Sequence, residues 1–256
     1  VDAQAEGQLV NFLSQVADFL TTGSNWTGPN GFLAQIIRQV ELTAVAVVAA
    51  VLVGVGVGAL LGHTGRGSFV VLNGANAARA IPSFALVVLI AIQPGIVGLQ
   101  QGGFVAAAIT MFALAVPPIL TNAYVGVREV DPAVRSAAVA MGMTSGQVLR
   151  RVELPLALPL VLAGVRTASV EVVATATLAA YVGVADLGFY IFAGLDTRNN
   201  AETFSGAFMV AVIALIVDLL LGALARALTP AGTRDTTRTT RQRGTGLTLR
   251  HARARS

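Results

Sequence analysis

Arg79, Glu171 and Asp218 stand inside long apolar runs, where an ionisable side chain is costly to hold. Such groups line a water-filled path, pair internally, or reach back to the membrane surface. For Arg79 and Glu171 we read a place on a path, with a structural ion pair or an interfacial reach as the alternative. For Asp218 a hydrogen bond to a neighbouring helix is the better reading. Little else in the chain could do chemistry. The two histidines, His63 and His251, are too few and too isolated for a metal centre, and there is no cysteine to bring thiol or disulfide chemistry. No Ser/His/Asp set can be assembled. Gly54, Gly56, Gly58 and Gly65 lack the lysine and the strand–helix context of a phosphate loop. No catalytic residue, metal or cofactor is expected.

The elements around these residues are those of a bilayer protein. Of the 256 residues, 55% are hydrophobic and 12% charged, and the mean hydropathy is +0.74. Soluble domains carry about twice that charge. Charge-poor runs at 42–62, 69–92, 104–125, 156–181 and 205–228 predict five spans, since about twenty residues of helix cross one bilayer core. Gly54, Gly56 and Gly58 allow close helix contact in the first. Pro82 predicts a kink that frees a nearby carbonyl in the second. Pro117 and Pro118 shape the third, either as a gate or statically. Residues 1–20 lack a basic stretch followed by an apolar one, so the first apolar run is expected to remain as a span.

Residues 8–20 place Leu9, Phe12, Leu13, Val16, Phe19 and Leu20 on one face. They form either a surface helix or one that packs on a span. The run from Asn25 to Gly31 is turn chemistry, with Trp26 suited to an interface. All basic residues are arginine. With the N-terminus outside, the inner segments hold Arg66, Arg128, Arg135, Arg150, Arg151, Arg226 and the seven arginines beyond residue 229, against Arg38 and Arg198 outside. The expected fold is all-α and integral to the membrane, with about five transmembrane helices, N-terminus out and C-terminus cytoplasmic. Residues 1–40 form an extracytoplasmic amphipathic segment, 41–228 the membrane domain, and 229–256 a disordered basic tail. That tail meets anionic lipid or sets orientation and does not bind nucleic acid.

The polar interruption at 128–155 carries the most local information. Asp131 followed by Pro132 predicts a helix start, and Gly142 the end of that helix near Met141. Thr144 and Gln147 fit a capping box that opens a second short helix through Val152. Pro155 then starts the return into the membrane. The result is two short helices joined by a fixed elbow on the cytoplasmic side.

This segment resembles the cytoplasmic signature of ABC-importer permeases, which reads Glu-Ala-Ala, three residues, Gly, nine residues, then an aliphatic residue, any residue, Leu-Pro. Here Ala137 and Ala138 precede Gly142 at that spacing, and Val152, Leu154 and Pro155 follow at theirs. Ser136 replaces the leading Glu, so the carboxylate of one polar docking contact is missing. Asn25–Gly31, His63–Arg66, Ile81–Ser83 and Ala174–Ala180 are similar to the osmoprotectant branch, over roughly residues 8–228.

The resemblance implies a type I ABC-importer permease fold in the bacterial inner membrane. It implies Ser136, Ala137, Ala138, Gly142, Val152, Leu154 and Pro155 as the ATPase-coupling residues, and Arg79, Pro82 and Glu171 become candidates for the path. The implied partners are a separate ABC ATPase subunit, an extracytoplasmic substrate-binding protein, and a second permease copy or paralogue. The cargo it implies is glycine betaine, choline, carnitine or proline betaine. An importer for another solute, such as methionine or a sulfonate, is the alternative. A secondary transporter would show inverted repeats, and no convincing repeat is found. Quaternary ammonium ligands sit in aromatic cages. With one Trp and three Tyr, the chain fits a low-affinity path.

Overall fold

A computed structural model describes residues 3–228, except the side chains of Ala3, Val70, Leu72, Asn76, Ala78 and Arg79. The expected tail at 229–256 lies outside the described residues. Among the described residues there is no strand. The helices are α1 (Ala3–Thr21), α2 (Phe32–Thr64), α3 (Ser68–Arg79), α4 (Ser83–Ala91), α5 (Gly102–Arg128), α6 (Pro132–Ala140), α7 (Ser145–Val148), α8 (Leu154–Ala176), α9 (Gly188–Asp196) and α10 (Asn200–Leu228). Short 3₁₀ turns cover Gly23–Asn25 and Thr177–Val182.

Four helical runs are long and apolar enough to cross a membrane: α2, α5, the run Ser145–Val182, and α10. They coincide with four of the five expected spans. The remaining one, at 69–92, is two helices rather than a kinked one. Pro82 has no N–H to continue the helix and biases the residue before it away from helical backbone, so the chain leaves α3 and restarts with Pro82 as the N-cap of α4, at φ −63° and ψ 114°. Pro117 and Pro118, by contrast, sit inside an unbroken α5. Asn122 Nδ2 donates to the Pro118 carbonyl at 2.8 Å, four residues back.

The core forms where α2, α5 and α8 meet. Ala46, Ala50, Gly54, Gly58 and Gly62 repeat every four residues along α2 and are buried, opposite Ala115, Ile119, Ala123 and Val127 of α5. A Cβ on Gly58 would lie 2.5 Å from the Leu120 carbonyl oxygen and 2.9 Å from Ala123 Cβ. One on Gly62 would lie 2.7 Å from the Tyr124 carbonyl oxygen. The two backbones therefore touch, as small residues permit in lipid. Gly56 faces away, with nothing within 4 Å of a Cβ.

At the opposite end from α6, α1 lies against α10, so the packed alternative describes it. Phe12 meets Phe204 edge-on, with ring centroids 5.5 Å apart. Val16 is buried, while Leu9 and Leu13 stay exposed. Phe19, Trp26, Phe32 and Tyr190 pack on one another, with Phe32 stacked on Tyr190 at 4.2 Å. The Trp26 indole N–H donates to the Leu20 carbonyl at 2.6 Å, so this ring joins a protein core.

Asp186 follows Val182 in a turn outside the four spans and is fully buried. Its Oδ1 accepts from the Gly188 N–H at 2.9 Å, while Oδ2 has no partner among the described residues. Burial pushes its carboxyl up to about 8 against the pull of that backbone bond. The folded protein thus keeps a proton that the unfolded chain gives up above about pH 4. The stability tied to this proton is complete below that pH and is lost as pH rises towards 8. Purified protein is therefore expected to melt at a lower temperature at about pH 8 than at about pH 5, and Asp186→Asn to flatten that slope. An unchanged slope in the variant would show that other groups set it.

Candidate functional site

The 128–155 segment is built from local backbone chemistry. Asp131 caps α6, accepting from the Ala133 N–H at 2.8 Å, and Pro132 takes the first helical position. The helix closes with two reversed bonds: the Gly142 N–H donates to the Val139 carbonyl at 2.9 Å and the Met143 N–H to the Ala138 carbonyl at 3.2 Å. That closure needs a left-handed residue after the C-cap, and Gly142 supplies it at φ +83°. Thr144 then opens α7, its N–H donating to Gln147 Oε1 at 2.8 Å. The elbow lies where the sequence places it.

The second helix differs from expectation. It does not stop at Val152 but runs on into α8, whose first turn holds Pro155. Residues Leu149–Glu153 form a π-helical turn in which the Leu154 N–H bonds the Leu149 carbonyl, five residues back. The wider turn carries the helix through Pro155, so Ser145–Val182 is one helical run. Proline is tolerated in a first turn, and a π turn absorbs the residue that would otherwise clash.

The signature residues do not share one surface. Ser136 and Ala137 face solvent, and the Ser136 hydroxyl donates back to the Pro132 carbonyl at 2.9 Å. Ala138 is buried, Val152 half-buried and Pro155 exposed, while Leu154 packs against the cluster of Ala59, Ala123 and Val127. Val134, Val139 and Met141, on α6 and at its end, are exposed, the last two 60% and 72% accessible.

Between α6 and the spans lies a polar cluster that the signature does not mark. Glu153 is 1% exposed. Its Oε1 lies 2.9 Å from Arg135 Nε on α6, and its Oε2 lies 2.6 Å from His63 Nδ1, next to last in α2. A carboxylate only accepts, so Nδ1 donates. His63 Nε2 lies 2.6 Å from Ser145 Oγ on α7. Arg135 also donates to the Val127 carbonyl near the end of α5. His63 is therefore not isolated. Arg128 closes the same end, its guanidinium lying over Gly65. With Arg66, Arg135, Arg150 and Arg151, this is the basic end of the molecule.

Within the spans, Asp218 does bond a neighbouring helix. Arg166 of α8 grips it with two parallel bonds, Nε to Oδ1 and Nη2 to Oδ2, both 2.5 Å. Arg166 carries the same signal as Arg79 and Glu171, an ionisable residue in an apolar run, and belongs with them. It stands twelve residues past Leu154, and Asp218 ten before Leu228, so both lie about 15–18 Å along their helices. The pair is half-exposed in a groove of about 970 Å³ between α8 and α10. Glu171, half-buried and five residues beyond Arg166, accepts at its carbonyl from Thr175 Oγ1 at 2.8 Å. Arg79 ends α3, with its side chain outside the described residues. Pro82 marks the break already described.

Comparison with known proteins fits this geometry. Residues 50–231 match the model of the family described as the binding-protein-dependent transport system inner membrane component. Among curated relatives, the choline transport system permease protein OpuBB of Bacillus subtilis is 33% identical, over 80% of this chain and 92% of its own. The glycine betaine/carnitine/choline permease protein OpuCB of the same organism is also 33% identical, over 86% and 96%. The osmoprotectant import permease protein OsmW of Salmonella typhimurium is 33% identical, over 80% and 95%. Among solved structures, the inward-facing MetNI methionine ABC transporter superposes with a TM-score of 0.68 at 23% identity, over 77% of this chain and 96% of that one. At that identity the likeness speaks for the fold. The four apolar helices, the all-helical architecture and a match covering most of the chain agree, and the chain belongs to the family of binding-protein-dependent transport system inner membrane components.

Proposed function

We propose that this chain is the permease subunit of an ATP-driven importer for osmoprotectants: glycine betaine, choline, carnitine or proline betaine. The observation that carries the cargo class is the set of choline, carnitine and glycine betaine permeases that match it at about one-third identity over at least four-fifths of its length. Hydrolysis of ATP then belongs to a separate ATPase subunit, and cargo selection to an extracytoplasmic binding protein. A second permease copy or paralogue completes the pore. The arginine-rich end carrying α6 faces the cytoplasm.

The coupling surface is α6 and its elbow. Asp131, Pro132 and Gly142 fix a short helix that, with its C-cap, exposes the apolar side chains of Val134, Val139 and Met141. Ser136, Ala137, Ala138 and Gly142 shape that projection, and Val152, Leu154 and Pro155 tie it to the membrane. Glu171 and the Arg79–Pro82 break are the path candidates, joined by Arg166 and Asp218. A charged pair left half-open at mid-helix is favourable beside water and costly beside lipid.

The test is uptake in cells stripped of their own osmolyte transporters and given this chain with its ATPase and binding protein. Labelled choline or glycine betaine should accumulate only when all three are present. Unlabelled osmolytes should compete and methionine should not. Uptake displaced by methionine and indifferent to osmolytes would overturn the cargo assignment.

A further inference from the structure

The buried cluster at Glu153 joins elements that coupling has to connect. One carboxylate holds α6 through Arg135 and α2 through His63. Through the hydrogen bond that Arg135 donates to the Val127 carbonyl it reaches α5, and through His63 it reaches Ser145 at the start of the long helix. Glu153 itself lies in the π turn of that helix. The Arg135 contact is an ion pair, its Nε having no hydrogen-bond partner among the described residues, and at 1% exposure Glu153 has little water to replace either partner, so losing one leaves a buried charge undercompensated.

The elements it joins are not mechanically alike. At their cytoplasmic ends α2 and α5 lie backbone against backbone around Gly58 and Gly62, which leaves little room for one to move on the other. The helix beginning at Ser145 passes instead through a π turn, the weakest-pitched point in its length, and continues to Arg166 and Glu171. A force on the outward face of α6 has two outlets. Either the short segment gives way, or the long helix turns about a point held by α2 and α5.

Building on the coupling role given above to α6, we propose that Glu153 is the fulcrum of that coupling. It is a positioning residue that anchors α6 and the start of the Ser145–Val182 helix on the ends of α2 and α5, so that force on α6 turns the long helix. The role belongs to a carboxylate inside the protein, distinct from any contact that Ser136 makes at the surface.

The test uses the whole importer in proteoliposomes: permease, ATPase subunit and binding protein. Val139→Cys provides a site for cross-linking to the ATPase subunit. Glu153→Gln keeps the shape while removing the charge and one of the two accepting oxygens. His63→Ala cuts the link to α2 alone. In both variants cross-linking at position 139 should match the parent. The stimulation of ATP hydrolysis by substrate-loaded binding protein, per cross-linked complex, should fall about tenfold, equivalent to about 1.4 kcal/mol of lost coupling. The double variant should be no worse than Glu153→Gln, because that change already removes the charge on which the His63 link depends. Unchanged stimulation would overturn the proposal. So would a parallel loss of cross-linking, since Glu153 would then only hold the docking surface together. If Glu153→Gln does not assemble, His63→Ala and Ser145→Ala at the accessible edge of the cluster decide by the same two readings. Failure of the parent Val139→Cys protein to cross-link would remove the coupling role of α6, and the fulcrum with it.

Discussion

Replacing Gly142 with valine is expected to leave the permease in the membrane at near-normal amount and to remove most substrate-stimulated ATP hydrolysis. The residue sits at φ +83°, where a side chain with a branched Cβ is strained by about 1–2 kcal/mol. Nothing lies within 4 Å of where that Cβ would stand, so the cost is purely conformational. Relief comes by rotating the backbone, which breaks the two closing bonds to Val139 and Ala138 and swings α6 relative to α7. A penalty of that size is too small to unfold packed spans but large enough to misdirect a nine-residue helix. Stimulated hydrolysis in the reconstituted importer, with membrane abundance measured alongside, checks this. Full stimulation in Gly142→Val would show that the elbow has no mechanical part.

Gly58→Val is expected to act oppositely, lowering the amount of folded protein before any question of activity arises. The first carbon added would stand 2.5 Å from the Leu120 carbonyl oxygen and 2.9 Å from Ala123 Cβ. Neither is the end of a flexible side chain, so α2 and α5 must separate. Overpacking of a tight interface costs about 1–3 kcal/mol for modest insertions, and valine adds two further methyl groups. Thermal unfolding of the detergent-purified protein should show a drop of several degrees or a loss of the folded fraction. Gly56→Ala is the matched control, on the same helix with nothing within 4 Å. Equal melting of Gly58→Val and the parent would mean that the seam is looser than described.

Features fixed by neighbouring residues were legible in the sequence. The α6 cap at Asp131, the Gly142 turn and the Thr144–Gln147 start each depend on a few adjacent positions, so composition and spacing suffice to find them. The long spans were legible because lipid demands uninterrupted apolar helix. What escaped was set by pairing across the chain. His63 looked isolated because its partner Glu153 is 90 residues away, and a cluster with His, Arg, Glu and Ser in four elements leaves no periodic trace. Arg166 and Asp218 are 52 residues apart; each is visible alone as a charge in an apolar run, but their union depends on how α8 and α10 pack. The π turn also hid, since Pro155 reads locally as a beginning. Among the small residues of α2, spacing suggested close contact but did not separate Gly58, against α5, from Gly56, facing outward.

The glycine seam between α2 and α5 has one register. Shifting α2 on α5 by a single residue means a rise of about 1.5 Å and a turn of about 100°, which carries bulkier neighbours of Gly58 and Gly62 into the α5 backbone. Side chains that could flex to accommodate the shift are missing there by construction. The pair is suited to serve as a stator, with movement in a transport cycle falling to elements outside it, such as the broken α3–α4 pair and the π-jointed long helix.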